Sequence, residues 1–196
     1  MKPSWTNGDV TPVLLPAAPR LATPWKNGGG VSFDIAFGEG RGPDGFDWRA
    51  GISAIDQAGP FSSYVGYGRC LWLASGPGLA LDFRGQPGAW IDRPGEGVQF
   101  DGGLATDCRL LRGPVRVLNF MHLSAAPPTQ PRLITPDFAV SGPAVVVALG
   151  SGTLGAHRLG PEDAVWLPAK TPPLRWTGAA GAPAVWLSVT SGRRTA

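Results

Sequence analysis

The residues best able to do chemistry in this sequence are few and unevenly placed. Of 196 residues, three are Lys and three are Asn, and Lys26 and Asn27 stand side by side between Trp25 and the run Gly28-Gly29-Gly30. Glycine lets the backbone take conformations closed to other residues and approach a ligand closely. A tryptophan, a cation and an amide beside such a turn form a candidate pocket rim for a small polar anion. Arg49 and Arg69 each fall inside strongly patterned strand segments. An arginine facing the inside of a small barrel must be paired, and a carboxylate ligand meets its planar fork with two hydrogen bonds. The plainer alternatives are a solvated turn for Lys26 and internal ion pairs for the arginines, with Asp34, Asp47 or Asp56 as partners. The residues alone leave both readings open.

Other chemistries find less support. Small β-barrels that hold iron, manganese or zinc usually do so with two or three His and a carboxylate on facing strands. Here His122 and His157 are the only histidines, one in each half, and no His-x-His occurs. His122 reads as a strand-end residue and His157 as a surface strand residue, so neither a metal nor another cofactor is expected. Gly40-Arg41-Gly42-Pro43-Asp44-Gly45 matches Gly-x-Gly-x-x-Gly, but Phe46-Asp47-Trp48-Arg49 opens a strand where a dinucleotide site needs a helix. Gly28–Gly30 lacks the Gly-Lys-Ser/Thr ending of a phosphate loop, and no Ser sits in a Gly-x-Ser-x-Gly elbow. No nucleophile–base pair is identifiable, so no catalytic residue is assigned. Cys70 and Cys108 are too few for a disulfide framework and read as reduced, buried thiols.

The elements that must position these residues are short strands. With 29 Gly and 21 Pro, the longest stretch free of both is the twelve residues Val115–Ala126. That excludes a helix bundle, a coiled coil and most α/β architectures. A hydrophobic fraction of 43% with eight Trp nevertheless supplies a packed core, so the chain reads as all-β rather than disordered. Strands are expected at Val31–Phe37, Phe46–Ile55, Arg69–Ala74, Leu79–Phe83, Ala89–Ile91, Val98–Phe100, Ala105–Leu111 and Val115–Met121. In Phe46–Ile55, Phe46, Trp48, Ala50 and Ile52 share one face, while Asp47, Arg49 and Ser53 share the other. After a Pro-rich segment, Ser124–Arg132, further strands are expected at Ala144–Leu149, Thr153–His157, Ala164–Leu167, Leu174–Thr177 and Ala184–Val189. Cys70–Gly76 resembles Val145–Gly152, and each is followed by a similar succession of strands and turns. This weak repeat points to two related barrels or jelly rolls in tandem: residues 1–123, a linker at 124–132, and a shorter, plainer unit at 133–196.

The net charge of +3 comes from scattered residues, without the clustered positive face of a nucleic-acid protein. No apolar run reaches the roughly 20 residues a membrane helix requires, and the start lacks a signal-peptide core. A cytoplasmic protein with neither nucleic-acid nor membrane partners is expected. Sheet edges of this kind often pair between subunits, which makes a homodimer an open possibility.

Four segments carry a family resemblance. Thr23-Pro24-Trp25-Lys26-Asn27-Gly28-Gly29-Gly30-Val31 is the first. Phe46-Asp47-Trp48-Arg49-Ala50 with Ile52-Ser53-Ala54 is the second, and the run from Gly59 to Arg69 is the third. The fourth is Leu111-Arg112-Gly113-Pro114-Val115-Arg116-Val117-Leu118-Asn119-Phe120-Met121. In order and spacing, over about residues 10–123, they resemble the HutD/Ves family. The resemblance implies a bicupin, two cupin barrels in one chain without the usual metal residues, associated with histidine utilisation. It further implies binding of a small carboxylate, N-formylglutamate, to moderate that pathway. Carried over, it makes Arg69 the carboxylate anchor, places Lys26 and Asn27 at the rim, and gives Arg49 and Asn119 supporting roles with Trp25 and Trp48 as apolar walls. The chain departs from the family pattern at Ser32, Phe33 and Asp34, where Thr, a charged residue and Glu are usual, and at Val117, where Asp is common.

The leading reading is therefore a metal-free binder of a small acid. A metal-independent isomerase or hydrolase, with Asp34 or Asp47 as base and Lys26 as acid, is the first alternative. A protein–protein regulator is the second.

Overall fold

The strand Phe46–Ile55 shows how alternation builds this fold. Phe46, Trp48, Ala50 and Ile52 are buried on one face, and Arg49 and Ser53 lie on the other. The same rule organises the whole computed structural model, which describes residues 11–25, 28–124, 131–189 and 193–194. The chain divides into two units. One, called here the pocket unit, draws its described residues from 21–34 and 40–127, and the C-terminal unit draws its own from 1–20, 35–39 and 128–196.

In the pocket unit the larger sheet runs in the order Ala22–Pro24, Gly30–Glu39, Phe46–Ile55, Val115–Leu123, Tyr67–Ser75, Gly97–Asp101. A smaller sheet runs Gly59–Pro60, Thr106–Leu110, Leu79–Phe83, Ala89–Ile91. Leu71, Leu73 and Val115 from the first pack against Leu79, Leu81 and Cys108 from the second. Burial of this kind stabilises by about 25 cal/mol per Å² of apolar surface removed from water. Both cysteines are free and buried, and burial pushes the Cys70 thiol up to about 12 and that of Cys108 up to about 11.

The C-terminal unit repeats the plan. Its larger sheet runs Val13–Leu15, Ala164–Leu167, Ala144–Ala148, Ala184–Ser188, Arg132–Ile134, and its smaller one Ala139–Val140, Leu174–Gly178, Gly152–Leu154, His157–Leu159. Val146, Leu154, Val165, Leu167 and Trp176 fill the space between them. In both units the sheets are open paths, so each unit is a two-sheet jelly roll rather than a barrel closed on itself.

Most expected strands stand within one or two residues of their expected ends. Three differences have physical causes. Thr153–His157 is not one strand but the two arms of a hairpin, Gly152–Leu154 and His157–Leu159, because Gly155 takes φ +56° and reverses the chain. His157 thus opens the second arm and is half-buried. The Pro-rich leading segment, which showed no period, contributes two strands. Val13–Leu15 pairs with Ala164–Leu167, and Ala22–Pro24 pairs with Gly30–Glu39. Within the proline-rich segment, Arg132 begins a strand that pairs with Ala184–Ser188, while residues 125–130 lie outside those described.

Candidate functional site

Strand register brings the site together. Across Val115–Leu123, Arg49 and Arg69 both lie opposite Met121, so the two arginines flank one residue in a single row. Residues directly opposite in antiparallel strands share a face, and both side chains therefore project on the same side of the larger sheet. Asn119, two residues along, lies opposite Gly51 and Leu71 on that same face. Gly51 has no side chain to cover the space beside Asn119.

A cavity of about 330 Å³ opens there, bordered by Trp25, Arg49, Phe61, Arg69 and Asn119 among others. Ile55, Leu71 and Val117 add apolar wall, Ser32 and Ser53 add hydroxyls, and Asp44 stands exposed at its edge. The volume falls at the small end of the range usual for small-molecule sites. Among the described residues, no group of three or more His, Cys, Asp or Glu is placed to hold a metal ion.

The two arginines meet different fates. Arg49 takes the ordinary course of an inward-facing cation. Its Nε and Nη2 donate to Asp34 Oδ1 and Oδ2, each at 2.8 Å, in a bidentate ion pair. Asp34, one methylene shorter than the family's usual Glu, still reaches it.

Arg69 has no such partner among the described carboxylates. It is 6% exposed, donates from Nη1 to the Ser62 carbonyl and from Nη2 to Asn119 Oδ1, both at 3.3 Å, and its buried Nε donates to nothing. Phe61, Tyr64 and Phe100 surround it, with ring centroids 5.1, 5.7 and 5.1 Å from the guanidinium carbon. Aromatic faces attract a cation but cannot accept its in-plane N–H bonds. Burial consequently lowers Arg69 to about 10, against a smaller upward effect from Tyr64. At neutral pH it remains a cation, with donors unused, in a cavity wall.

The loop after Trp25 is shaped by its glycines. Trp25 N donates to the Gly30 carbonyl at 2.9 Å and Gly28 N to the Trp25 carbonyl at 3.1 Å, while Gly28 takes φ +72°. Gly30 is required for another reason, since a Cβ there would run into the carbonyl of Ala54. The turn fixes the Trp25 ring, which donates from Nε1 to Ser32 Oγ at 2.8 Å and meets Phe61 edge-on at 6.0 Å. Ser32 Oγ and Ser53 Oγ are in turn 3.3 Å apart.

Of the residues expected at the site, Trp25, Arg49, Arg69 and Asn119 border this one cavity. Trp48 does not. It lies on the opposite face of its strand from Arg49, 4% exposed, with Phe120 at 6.4 Å, as strand alternation demands. Lys26 and Asn27 lie outside the described residues. Asp47, a base in the enzymatic alternative, accepts from the Arg41 amide at 3.1 Å and is not among the residues bordering the cavity. The other candidate base, Asp34, is held in the ion pair.

The aromatic set Phe61, Tyr64 and Phe100 was not singled out by residue type. Phe61 and Tyr64 belong to a connection without period that runs from Gly59–Pro60 in one sheet to Tyr67–Ser75 in the other. Phe100 lies opposite Arg69 in the neighbouring strand, a relation that only register reveals. Of the two departures from the family pattern, Val117 presents an apolar wall to the cavity. Phe33 lies beneath the Arg116 guanidinium, 5.0 Å from ring to charge.

Two tandem jelly rolls of open antiparallel sheets, one holding a guanidinium-lined cavity, define a bicupin. The HutD family model matches residues 17–182, carrying the likeness well past the first unit, and the chain belongs to the HutD family. It is 38% identical over 109 residues to an uncharacterized 21.2 kDa Pseudomonas putida protein from the hutC 3' region, a match covering 56% of this chain and 57% of that one. It therefore spans little more than half the length of that curated relative. The HutD structure from Pseudomonas fluorescens SBW25, in a formate condition, superimposes with a TM-score of 0.77 at 26% identity, covering 94% of this chain and all of that one. A conserved Pseudomonas aeruginosa PAO1 protein of unknown function gives the same TM-score at 24% identity, covering 91% of this chain and 98% of its own.

Proposed function

We propose that this protein binds a small carboxylic acid in the pocket unit, with Arg69 as anchor, and that binding moderates histidine utilisation. The observation carrying the reading is Arg69 itself: a buried cation bordering a cavity, with no described carboxylate partner and an unused Nε donor. An ionised carboxylate would supply both the missing charge and in-plane acceptors. Asn119 orients the guanidinium through Oδ1, the Ser32 and Ser53 hydroxyls serve the polar end of the ligand, and Trp25 and Phe61 form its apolar wall. N-formylglutamate is the acid implied by the family resemblance. Family membership and the hutC neighbourhood of the Pseudomonas putida relative support the pathway.

The experiment is calorimetric titration and thermal unfolding with formate, N-formylglutamate, urocanate, tartrate and citrate. Each is run on the unaltered protein and on Arg69→Met, which keeps the apolar stem. An acid present at 100 times its dissociation constant should stabilise the fold by about 2.7 kcal/mol. That gain should vanish in Arg69→Met. Equal affinity in the two proteins would remove Arg69 from the site, and a folded protein that binds none of the acids would remove the reading.

A further inference from the structure

Arg49 and Arg69 start from the same row of the larger sheet, both opposite Met121, and each reaches one short polar side chain. Those two side chains differ by a single group. Arg49 meets a carboxylate, Asp34, which accepts from both Nε and Nη2 at 2.8 Å. Arg69 meets a carboxamide, Asn119, through one 3.3 Å contact from Nη2 to Oδ1. An aspartate in place of Asn119 would have nearly the same shape. It would bring a negative charge to a guanidinium that has no carboxylate partner among the described residues. The amide lends an acceptor and leaves the charge uncancelled.

The direction of that amide matters as well. A guanidinium carries donors only, so the oxygen of Asn119 must face Arg69 and its nitrogen must point elsewhere. Asn119 borders both the cavity of about 330 Å³ and a smaller space of about 40 Å³. Gly51 lies opposite it in the ladder and leaves the space beside it unfilled; a Cβ there would lie 3.3 Å from Asp34 Oδ1. An amide nitrogen with two N–H donors and a guanidinium then stand side by side at one cavity wall. Both call for the same partner, an oxygen that accepts.

We propose that the residue at position 119 decides whether Arg69 is an open site or a closed ion pair, and that Asn119 also touches the ligand, its Nδ2 donating to an oxygen of the carboxylate held by Arg69. The inference rests on the carboxylate-binding reading above and adds the residue that keeps its anchor available. It concerns the anchored end of the acid alone.

Asn119→Asp and Asn119→Leu, which keep the branching of the side chain, test it beside the unaltered protein. Binding of formate and N-formylglutamate is read by calorimetry, and stability by thermal unfolding without acid. Asn119→Asp should bind about a hundredfold more weakly, because the acid must displace a resident carboxylate of like charge. Its acid-free midpoint should nevertheless rise by a few degrees. Asn119→Leu leaves Arg69 charged but removes one donor, so it should bind about tenfold more weakly and gain no stability. A merely structural asparagine would instead lower binding and stability together in both variants. In 15N-labelled unaltered protein, the side-chain NH2 signals of Asn119 should shift as N-formylglutamate saturates the site. Signals unmoved at saturation would overturn the contact without recourse to a variant. An Asn119→Asp chain less stable than the unaltered protein, or unable to fold, would overturn the closed pair. If Asn119→Asp binds as tightly as the unaltered protein while Arg69→Met does not bind, the carboxylate reading stands and the role of residue 119 falls. If the unaltered protein binds neither acid, the carboxylate reading fails and takes this inference with it.

Discussion

The two units pack the same kind of double sheet around different interiors. In the C-terminal unit, Ala144–Ala148 is buried at every position, and Val146, Leu154, Leu167 and Trp176 have no measurable exposure. The polar handle of Trp176 is satisfied locally, its Nε1 donating to the Ala182 carbonyl at 2.9 Å. In the pocket unit the repeat counterpart, Tyr67–Ser75, carries Arg69 inside, and the space beside it stays open. An apolar interior collapses onto itself because every side chain gains by contact. A buried guanidinium ringed by aromatic side chains, with Nε still without an acceptor, gains further when something with in-plane acceptors enters. The difference between the units is thus a difference between a core and a site, made by one strand position in a shared plan.

The largest expected effect lies in the filled unit. Trp176→Ala leaves a void among residues with no room to relax and should cost about 3–5 kcal/mol in urea unfolding. Phe61→Ala, beside a cavity that already exists, should cost distinctly less. Equal losses would break the comparison, since they would mean the pocket unit is packed as tightly as its neighbour.

The second effect has the opposite sign. The lowering of Arg69 to about 10 corresponds to a desolvation cost of about 3 kcal/mol, an order-of-magnitude figure. At neutral pH folded and unfolded chains both hold this proton, so the cost is constant there. Between about pH 10 and the ordinary arginine range, the unfolded chain keeps a proton that the folded chain releases, and this contribution then favours folding as pH rises. Arg69→Met should accordingly leave the acid-free protein as stable, or raise its unfolding midpoint by a few degrees, while abolishing stabilisation by acids. A midpoint several degrees lower would show that Arg69 is a structural cation sustained by Phe61, Tyr64 and Phe100.

The sequence made some of this legible and hid the rest for definable reasons. Gly and Pro spacing exposed the strands, and alternation in Phe46–Ile55 placed Arg49 and Ser53 on the face opposite Trp48. The same alternation spoke against Trp48 as a pocket wall, and the family resemblance ran counter to it. The pairing of Arg49 with Asp34 was among the ion pairs considered from composition. That Arg69 differs was not visible, because its isolation depends on what a neighbouring strand and the aperiodic connection carrying Phe61 and Tyr64 bring around it. Phe100 lies 31 positions away in sequence yet directly across the ladder. Val13–Leu15 shows the same limit, since a three-residue strand among prolines has no period and is defined by its partner Ala164–Leu167.

A third arginine supplies the smallest and sharpest test. Arg109 grips Asp82 much as Arg49 grips Asp34, with Nε and Nη2 donating to the two carboxylate oxygens at 2.6 and 3.1 Å, but its side chain is 57% exposed and that of Asp82 50%. The hydrogen bond from Arg109 holds the Asp82 carboxyl below its ordinary range, outweighing an opposing effect of desolvation, with the arginine's charge adding a smaller lowering. A carboxylate depressed in this way adds stability that is present above its unfolded value and lost as pH falls through the folded one. Water and salt screen an exposed pair, however, and such pairs contribute little to folding. Asp82→Asn should therefore leave the neutral-pH unfolding midpoint where it was. An NMR titration should find the Asp82 carboxyl ionising below the usual carboxylate range and returning to it in Arg109→Gln. The three arginines then form a series in which burial and partner, rather than residue type, decide the outcome: Arg109 paired in solvent, Arg49 paired at half-burial, Arg69 buried without a carboxylate partner among the described residues. A midpoint shift in Asp82→Asn as large as that in Arg69→Met would undo the series, because surface pairing would then weigh as much as the buried charge on which the site reading depends.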